Sequence, residues 1–152
     1  MRFAQARPRS MSRCAMSRNP SRTKILIAED DPIISELLTI RLELAGYHTA
    51  VVRDGEEVLD RVRSIDPEGL ILDIGLPRMD GFEILSLLEG TGGLATLPTL
   101  VLTARHAASD VQRAIRLGAW DYLAKPFDDR KLIERVARML QRKDQLAAAC
   151  LI

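Results

Sequence analysis

Apolar runs divide the chain, and each stops at a polar residue. Lys24-Ile25-Leu26-Ile27-Ala28 runs into Glu29-Asp30-Asp31, and Leu70-Ile71-Leu72 runs into Asp73. Pro98-Thr99-Leu100-Val101-Leu102 stops at Thr103, and Asp121-Tyr122-Leu123-Ala124 stops at Lys125-Pro126. Thr49-Ala50-Val51-Val52 is a shorter run, followed by the turn pair Asp54-Gly55. None of these runs alternates cleanly. Unalternated aliphatics fit strands buried on both faces, as in a parallel sheet covered by helices.

Between the runs the period changes to that of a helix. Ile33, Leu37, Ile40 and Leu44 mark the first helix, which Pro32 opens and Gly46 ends. Val58, Val62 and Ile65 mark the second, and Ile84, Leu85 and Leu88 mark a third that begins near Gly81. Val111, Ala114 and Ile115 mark the fourth, stopped at Gly118. Asp128 and Asp129 open the fifth, where acids complement the positive end of the helix dipole, and Leu132, Val136, Met139 and Leu140 give its buried stripe. The pattern is a strand and a helix repeated. It predicts a three-layer α/β/α sandwich of (βα)5 type with a five-stranded parallel sheet, and fits the flavodoxin-like order 2-1-3-4-5, which the family resemblance given below also implies.

Composition adds a division to this picture. The 152 residues carry a net charge of +1, but residues 1–24 hold seven basic residues and no acid. The rest holds 15 basic residues against 21 acids. The acidic body argues against nucleic-acid binding by that body. Residues 1–23 lack apolar periodicity and read as a disordered basic tail. Their composition also resembles a transit peptide, and an over-long start fits too, with Met11 and Met16 as later initiators. Residues 24–142 read as one domain, and 143–152 as a helical extension or a frayed tail. No apolar run approaches the ~20 residues of a membrane span. Cys14 and Cys150 stand near opposite ends, which is no disulfide framework and fits a reducing, cytoplasmic compartment. With His48 and His106 they make no zinc pattern.

The chemistry collects where the strands end. In a doubly wound parallel sheet these ends share one edge, and strands one and three meet at the switch point. Glu29, Asp30 and Asp73 would meet there, with Thr103 and Lys125 beside them. Carboxylates packed that closely repel one another, and a divalent cation relieves the repulsion. Only oxygen ligands are on offer, which suits magnesium over zinc. Magnesium leaves room for a phosphate oxygen, and Lys125 and Thr103 suit two more. The site is suited to a phosphoryl group, with Asp73 at its centre as a carboxylate nucleophile.

At these residues the sequence resembles the receiver domain of two-component response regulators, over residues 24 to about 142. The resemblance is carried by Ile25-Leu-Ile-Ala-Glu29-Asp30-Asp31-Pro, by Leu72-Asp73-Ile-Gly-Leu-Pro77-Arg-Met-Asp80-Gly81, by Leu102-Thr103-Ala104, and by Tyr122-Leu-Ala-Lys125-Pro126-Phe127. It implies that Asp73 accepts a phosphoryl group from a histidine kinase or a histidine phosphotransfer protein. It implies Mg2+ bound by Asp30, Asp73 and the backbone carbonyl of Gly75, with Glu29 acting through water. Thr103 and Lys125 would contact the phosphoryl oxygens, Tyr122 would be the switch aromatic, and the Lys125–Pro126 bond would be cis. A repacked face of helix four, strand five and helix five would meet a downstream protein or a second copy of the chain, with Trp120 near it or simply packed. The protein would then be a stand-alone switch. It would have no enzymatic role beyond its own phosphorylation and dephosphorylation, no nucleic-acid contact and no membrane contact.

Some residues depart from the family pattern. Glu29 stands where Asp is commoner. Gly69 stands where an apolar residue is usual, and should loosen the start of strand three. Gly75 and Arg105 occupy the two positions that tune hydrolysis of the acyl phosphate. Two other functions compete. A magnesium-dependent phosphatase with an aspartyl nucleophile usually needs a second acid two residues on, where Gly75 stands. A pseudo-receiver would not need the intact acid set. A flavin or nucleotide module would want a Gly/Ser/Thr-rich loop after strand one, and that loop is acidic here.

Overall fold

The computed structural model describes residues 23–104 and 108–150. Ten elements alternate. They are β1 (Lys24–Ala28), α1 (Pro32–Leu44), β2 (His48–Val52), α2 (Gly55–Ile65), β3 (Gly69–Asp73), α3 (Gly81–Gly90), β4 (Thr99–Thr103), α4 (Ala108–Arg116), β5 (Asp121–Ala124) and α5 (Asp129–Ala149). A short 3-10 turn, Gly93–Ala95, lies between α3 and β4. All strand pairs are parallel, in the order β2-β1-β3-β4-β5.

Strand polarity and chain direction place the helices. The chain steps from β1 out to β2, then back across β1 to β3 and onward to β4 and β5. With right-handed crossovers, that reversal sets α1 on one face and α2, α3 and α4 on the other. Two apolar clusters follow. Leu26, Leu70, Leu72 and Val101 face Val58, Ile84, Leu85, Leu88 and Ala114. Ile25, Ile27, Ile71, Leu100, Leu102 and Leu123 face Leu38, Leu42, Leu132, Val136, Met139 and Leu140. Every residue of β3 and β4 is buried, which is why those runs show no alternation. Each fully buried aliphatic there contributes about 1.5–3 kcal/mol.

Helix starts share one device. Asp31, Asp54, Asp80 and Asp128 each sit at an N-cap and accept hydrogen bonds from amides of the first turn. Such caps stabilise a helix by ~1 kcal/mol. They also take these four acids out of the pool available for chemistry.

One expectation changes, at Gly69, and two helices turn inward a face that their apolar repeat does not mark. In α1 the period is helical, but the buried residues are Ser35, Leu38 and Leu42. Ile33, Leu37, Ile40 and Leu44 form the outward stripe and are exposed. The helix is apolar almost all round, so periodicity alone does not choose its face. In α4, Ala114 is buried while Ile115 is exposed. Gly69 is a paired strand residue opposite Ile25. The Ile25 Cδ1 and Leu140 Cδ2 atoms lie 3.0 and 3.7 Å from where its Cβ would stand, so neighbours fill the space rather than leave it loose.

Around the other ends of the strands, Thr23 is buried and its carbonyl accepts the His48 amide at 2.9 Å. The fold thus takes in the residue that the sequence places last in the tail. Residues 1–22, Arg105, Leu151 and Ile152 lie outside the described residues. α5 continues through Ala149, and Lys143 Nζ donates to the Glu68 carbonyl at 3.3 Å. Trp120 is a packing residue: its indole N–H donates to the Leu94 carbonyl at 2.9 Å, and the Arg142 guanidinium lies 5.0 Å above its ring. Among the described residues no helix is long and apolar enough to cross a membrane.

Candidate functional site

The residues singled out at the strand ends come together at the carboxyl edge of the sheet. Glu29 follows β1, and its amide still bonds to the Val52 carbonyl at 3.0 Å, so its side chain is set by the sheet. Asp73 is the last residue of β3. Carboxylate oxygens of Glu29, Asp30 and Asp73 all lie within 4.8 Å of one another. Glu29 and Asp73 are buried, whereas Asp30 is exposed. The third acid of the run, Asp31, is spent on α1, accepting from Ile33 and Ile34 amides at 2.8 and 3.3 Å.

Lys125 closes the cluster from the far side. Its ammonium is 2.7 Å from Glu29 Oε2 and 3.3 Å from Asp73 Oδ2. The Lys125 amide donates to the Thr103 carbonyl at 2.7 Å, so the ends of β4 and β5 stay in register. The Lys125–Pro126 peptide is cis, as the family resemblance implied. Thr103 is buried at the end of β4. Tyr122 stands outward on β5, with the Arg135 guanidinium 5.5 Å from its ring.

Burial pushes the Glu29 carboxyl above its ordinary value of 4.5, and the charge of Asp73 pushes the same way against the Lys125 hydrogen bond. Burial pulls Lys125 down, but the Glu29 hydrogen bond and the two carboxylates outweigh it, and the group rises above 10.5. Lys125 therefore stays an ammonium. One ammonium faces three carboxyl groups, so the site has room for a further positive charge. Every donor in the cluster is a carboxylate oxygen, which suits a hard cation.

The loop from Ile74 to Asp80 supplies the remaining wall. The Gly75 amide donates to Asp73 Oδ1 at 3.2 Å and orients that carboxylate. A Cβ at Gly75 would meet only the Asp73 oxygens, at 3.9 Å, so the position beside Asp73 is open and carries no second acid. The sequence reading missed the group that holds this loop from behind: Asp54, Gly55 and Arg78. Asp54-Gly55 was legible only as a turn, because the contact it makes comes from a loop 20-odd residues further on.

An open α/β sheet of this order, with acids and a lysine gathered at its switch point, has the layout of a phosphoryl-accepting signalling module. The family model described as response regulator receiver domain matches residues 25–137, and the chain belongs to that family. It is a phosphorylation-dependent switch of two-component signalling. The DNA-binding response regulator MtrA of Mycolicibacterium smegmatis is 38% identical over 130 residues, covering 86% of this chain and 56% of that protein. The response regulator MprA of Mycobacterium tuberculosis is 41% identical over 119 residues, covering 78% and 51%. The chain thus spans about half the length of these curated relatives. Among solved structures, the receiver domain of the Francisella response regulator 1452 is 30% identical with a TM-score of 0.74, covering 79% of this chain and 98% of that one. The signal receiver domain of a signal transduction histidine kinase from Syntrophus aciditrophicus is 37% identical with a TM-score of 0.72, covering 78% and 90%.

Proposed function

We propose that Asp73 is the phosphoryl acceptor and that Glu29, Asp30, Asp73 and the Gly75 carbonyl hold Mg2+. The observation that carries this reading is the Lys125 ammonium 3.3 Å from Asp73 Oδ2, inside a cluster with two further carboxylates. A bound Mg2+ would offset the charge of the carboxylates and of the incoming phosphoryl oxygens.

The chain's own residues do the rest. An Asp73 oxygen attacks phosphorus as the bond to a donor histidine nitrogen breaks. The imidazole leaves with the electron pair and takes up a proton. The Gly75 amide keeps the Asp73 carboxylate oriented before attack. Lys125, tied to Glu29 at 2.7 Å beforehand, is in reach of the new phosphoryl oxygens. The Thr103 hydroxyl is drawn toward the same group. That movement, with Tyr122, repacks the α4–β5–α5 face for a downstream protein or a second copy.

The partners proposed are a histidine kinase or histidine phosphotransfer protein as donor and a protein as target. MtrA is a DNA-binding response regulator by name. For this stretch the excess of acids after the tail favours protein contact over nucleic acid. A cytoplasmic place fits such a donor. The role is that of a switch, with self-phosphorylation and self-dephosphorylation as its only chemistry. The deciding experiment is intact mass after incubation with acetyl phosphate and Mg2+. One phosphoryl adduct is expected, lost with Asp73→Asn and with chelator. An adduct that survives Asp73→Asn would move the acceptor elsewhere.

A further inference from the structure

We infer that Arg78, Asp54 and Gly55 are positioning residues for the loop that carries Gly75, an inference that rests on the receiver reading above. The loop is pinned at its base, where the Gly81 amide donates to the Ile74 carbonyl at 2.9 Å. A Cβ on Gly81 would fall 2.7 Å from the Ile74 Cα, so that closure is tight. The tip of the loop is held by something else. It rests on the first turn of α2.

Three contacts make that rest. The Gly55 amide donates to the Pro77 carbonyl at 3.3 Å. A Cβ on Gly55 would overlap the Met79 carbonyl oxygen, so only glycine lets the two backbones approach this closely. Arg78 Nε lies 3.0 Å from Asp54 Oδ2, and Arg78 also reaches Glu56 at 3.8 Å. Asp54 meanwhile caps α2 through its other oxygen, accepting the Glu56 amide at 2.9 Å. One carboxylate therefore joins the helix start to the loop tip.

Arg78 has φ +66, a left-handed conformation disfavoured for a residue with a side chain. Such backbone persists where its surroundings hold it. Here the ion pair and the Gly55–Met79 approach do so. Gly75 lies between the pinned base and the latched tip. Releasing the tip frees the Gly75 carbonyl and the amide that orients Asp73. The latch touches neither the metal nor the phosphoryl group, so it acts through the loop.

The test is an MgCl2 titration of the full chain, following the amide resonances of Asp73 and Gly75 by NMR. Arg78→Ala and Asp54→Asn should each weaken Mg2+ affinity about 2- to 5-fold, the range an exposed ion pair spans. Their Tm should hold, because Asn caps a helix as well as Asp does and the Arg78 side chain is mostly exposed. Arg78→Lys should restore part of the affinity. Gly55→Ala should weaken it by ~10-fold or more. Arg138→Ala, at the other end of the sheet, should change nothing. Unchanged affinity in both Arg78→Ala and Asp54→Asn overturns the latch. A loss of affinity that only tracks a loss of Tm overturns it too. The unsubstituted protein is titrated first: no saturable Mg2+ shift there would remove the proposed Mg2+ site and the latch with it.

Discussion

The two edges of the sheet handle charge in opposite ways. Around the amino ends of the strands, positive charges meet backbone carbonyls or a shared acid. Lys24 Nζ donates to the Ile65 carbonyl at 3.4 Å, and Lys143 to the Glu68 carbonyl. Asp121 takes Arg135 on one oxygen at 2.8 Å and Arg138 on the other at 2.9 Å. At the carboxyl ends three acids gather around one lysine, with two of the acids buried. The first arrangement is what folding favours, since a buried charge costs several kcal/mol unless it is matched. The second leaves buried carboxyl groups in excess of their cationic partner. The proposed function sits at the edge where the match is incomplete.

If that contrast is right, substitutions at the two edges should separate activity from stability. Short of losing Asp73 itself, the largest effect on the site is expected at Asp30. Asp30→Asn should lower Mg2+ affinity on the order of 100-fold with the fold intact, read by metal titration and thermal melting. The largest effect on stability is expected between the edges. Ile71→Ala removes a fully buried side chain and should cost about 2–5 kcal/mol in urea unfolding while leaving the site residues in place. An intermediate effect is expected at Glu29. A carboxyl raised by the fold stabilises it below 4.5, and that contribution is lost as pH climbs through the raised value. In chelator, Glu29→Gln should therefore match the parent Tm in acid and exceed it at neutral pH. An equal or lower Tm at neutral pH would contradict the incomplete match. The smallest effect is expected at Arg138, which is mostly exposed. Arg138→Ala should change stability by about 0–1 kcal/mol and leave phosphorylation unaltered.

The sequence made the strands and their ends legible for a physical reason. A strand covered on both faces must be apolar throughout, so Leu70-Ile71-Leu72 and Leu100-Val101-Leu102 stand out, and the polar residue that ends each run marks the edge. Glu29, Asp30, Asp73, Thr103 and Lys125 were found this way. The inward side of α1 was not legible, because Ile33, Leu37, Ile40 and Leu44 repeat as well as the buried residues do. The salt bridge from Lys125 to Glu29 spans 96 positions and follows only from strand order. The seat of the loop tip on α2 was hidden for a different reason. It depends on the absence of a side chain at Gly55, and an Asp-Gly pair reads the same in any turn.

One feature of the site bears on how a local event becomes a signal. Lys125 belongs to the end of β5, the outermost strand, yet its ammonium rests on acids that follow β1 and end β3, reaching past β4. It works as a tie-rod from the rim of the sheet to its middle. A newcomer that claims the ammonium would act on β5 and on β4 beside it, and on its far side β5 has no strand to absorb the adjustment. On the mechanism proposed here the shift would pass outward, to the side of the molecule where Tyr122 already faces water.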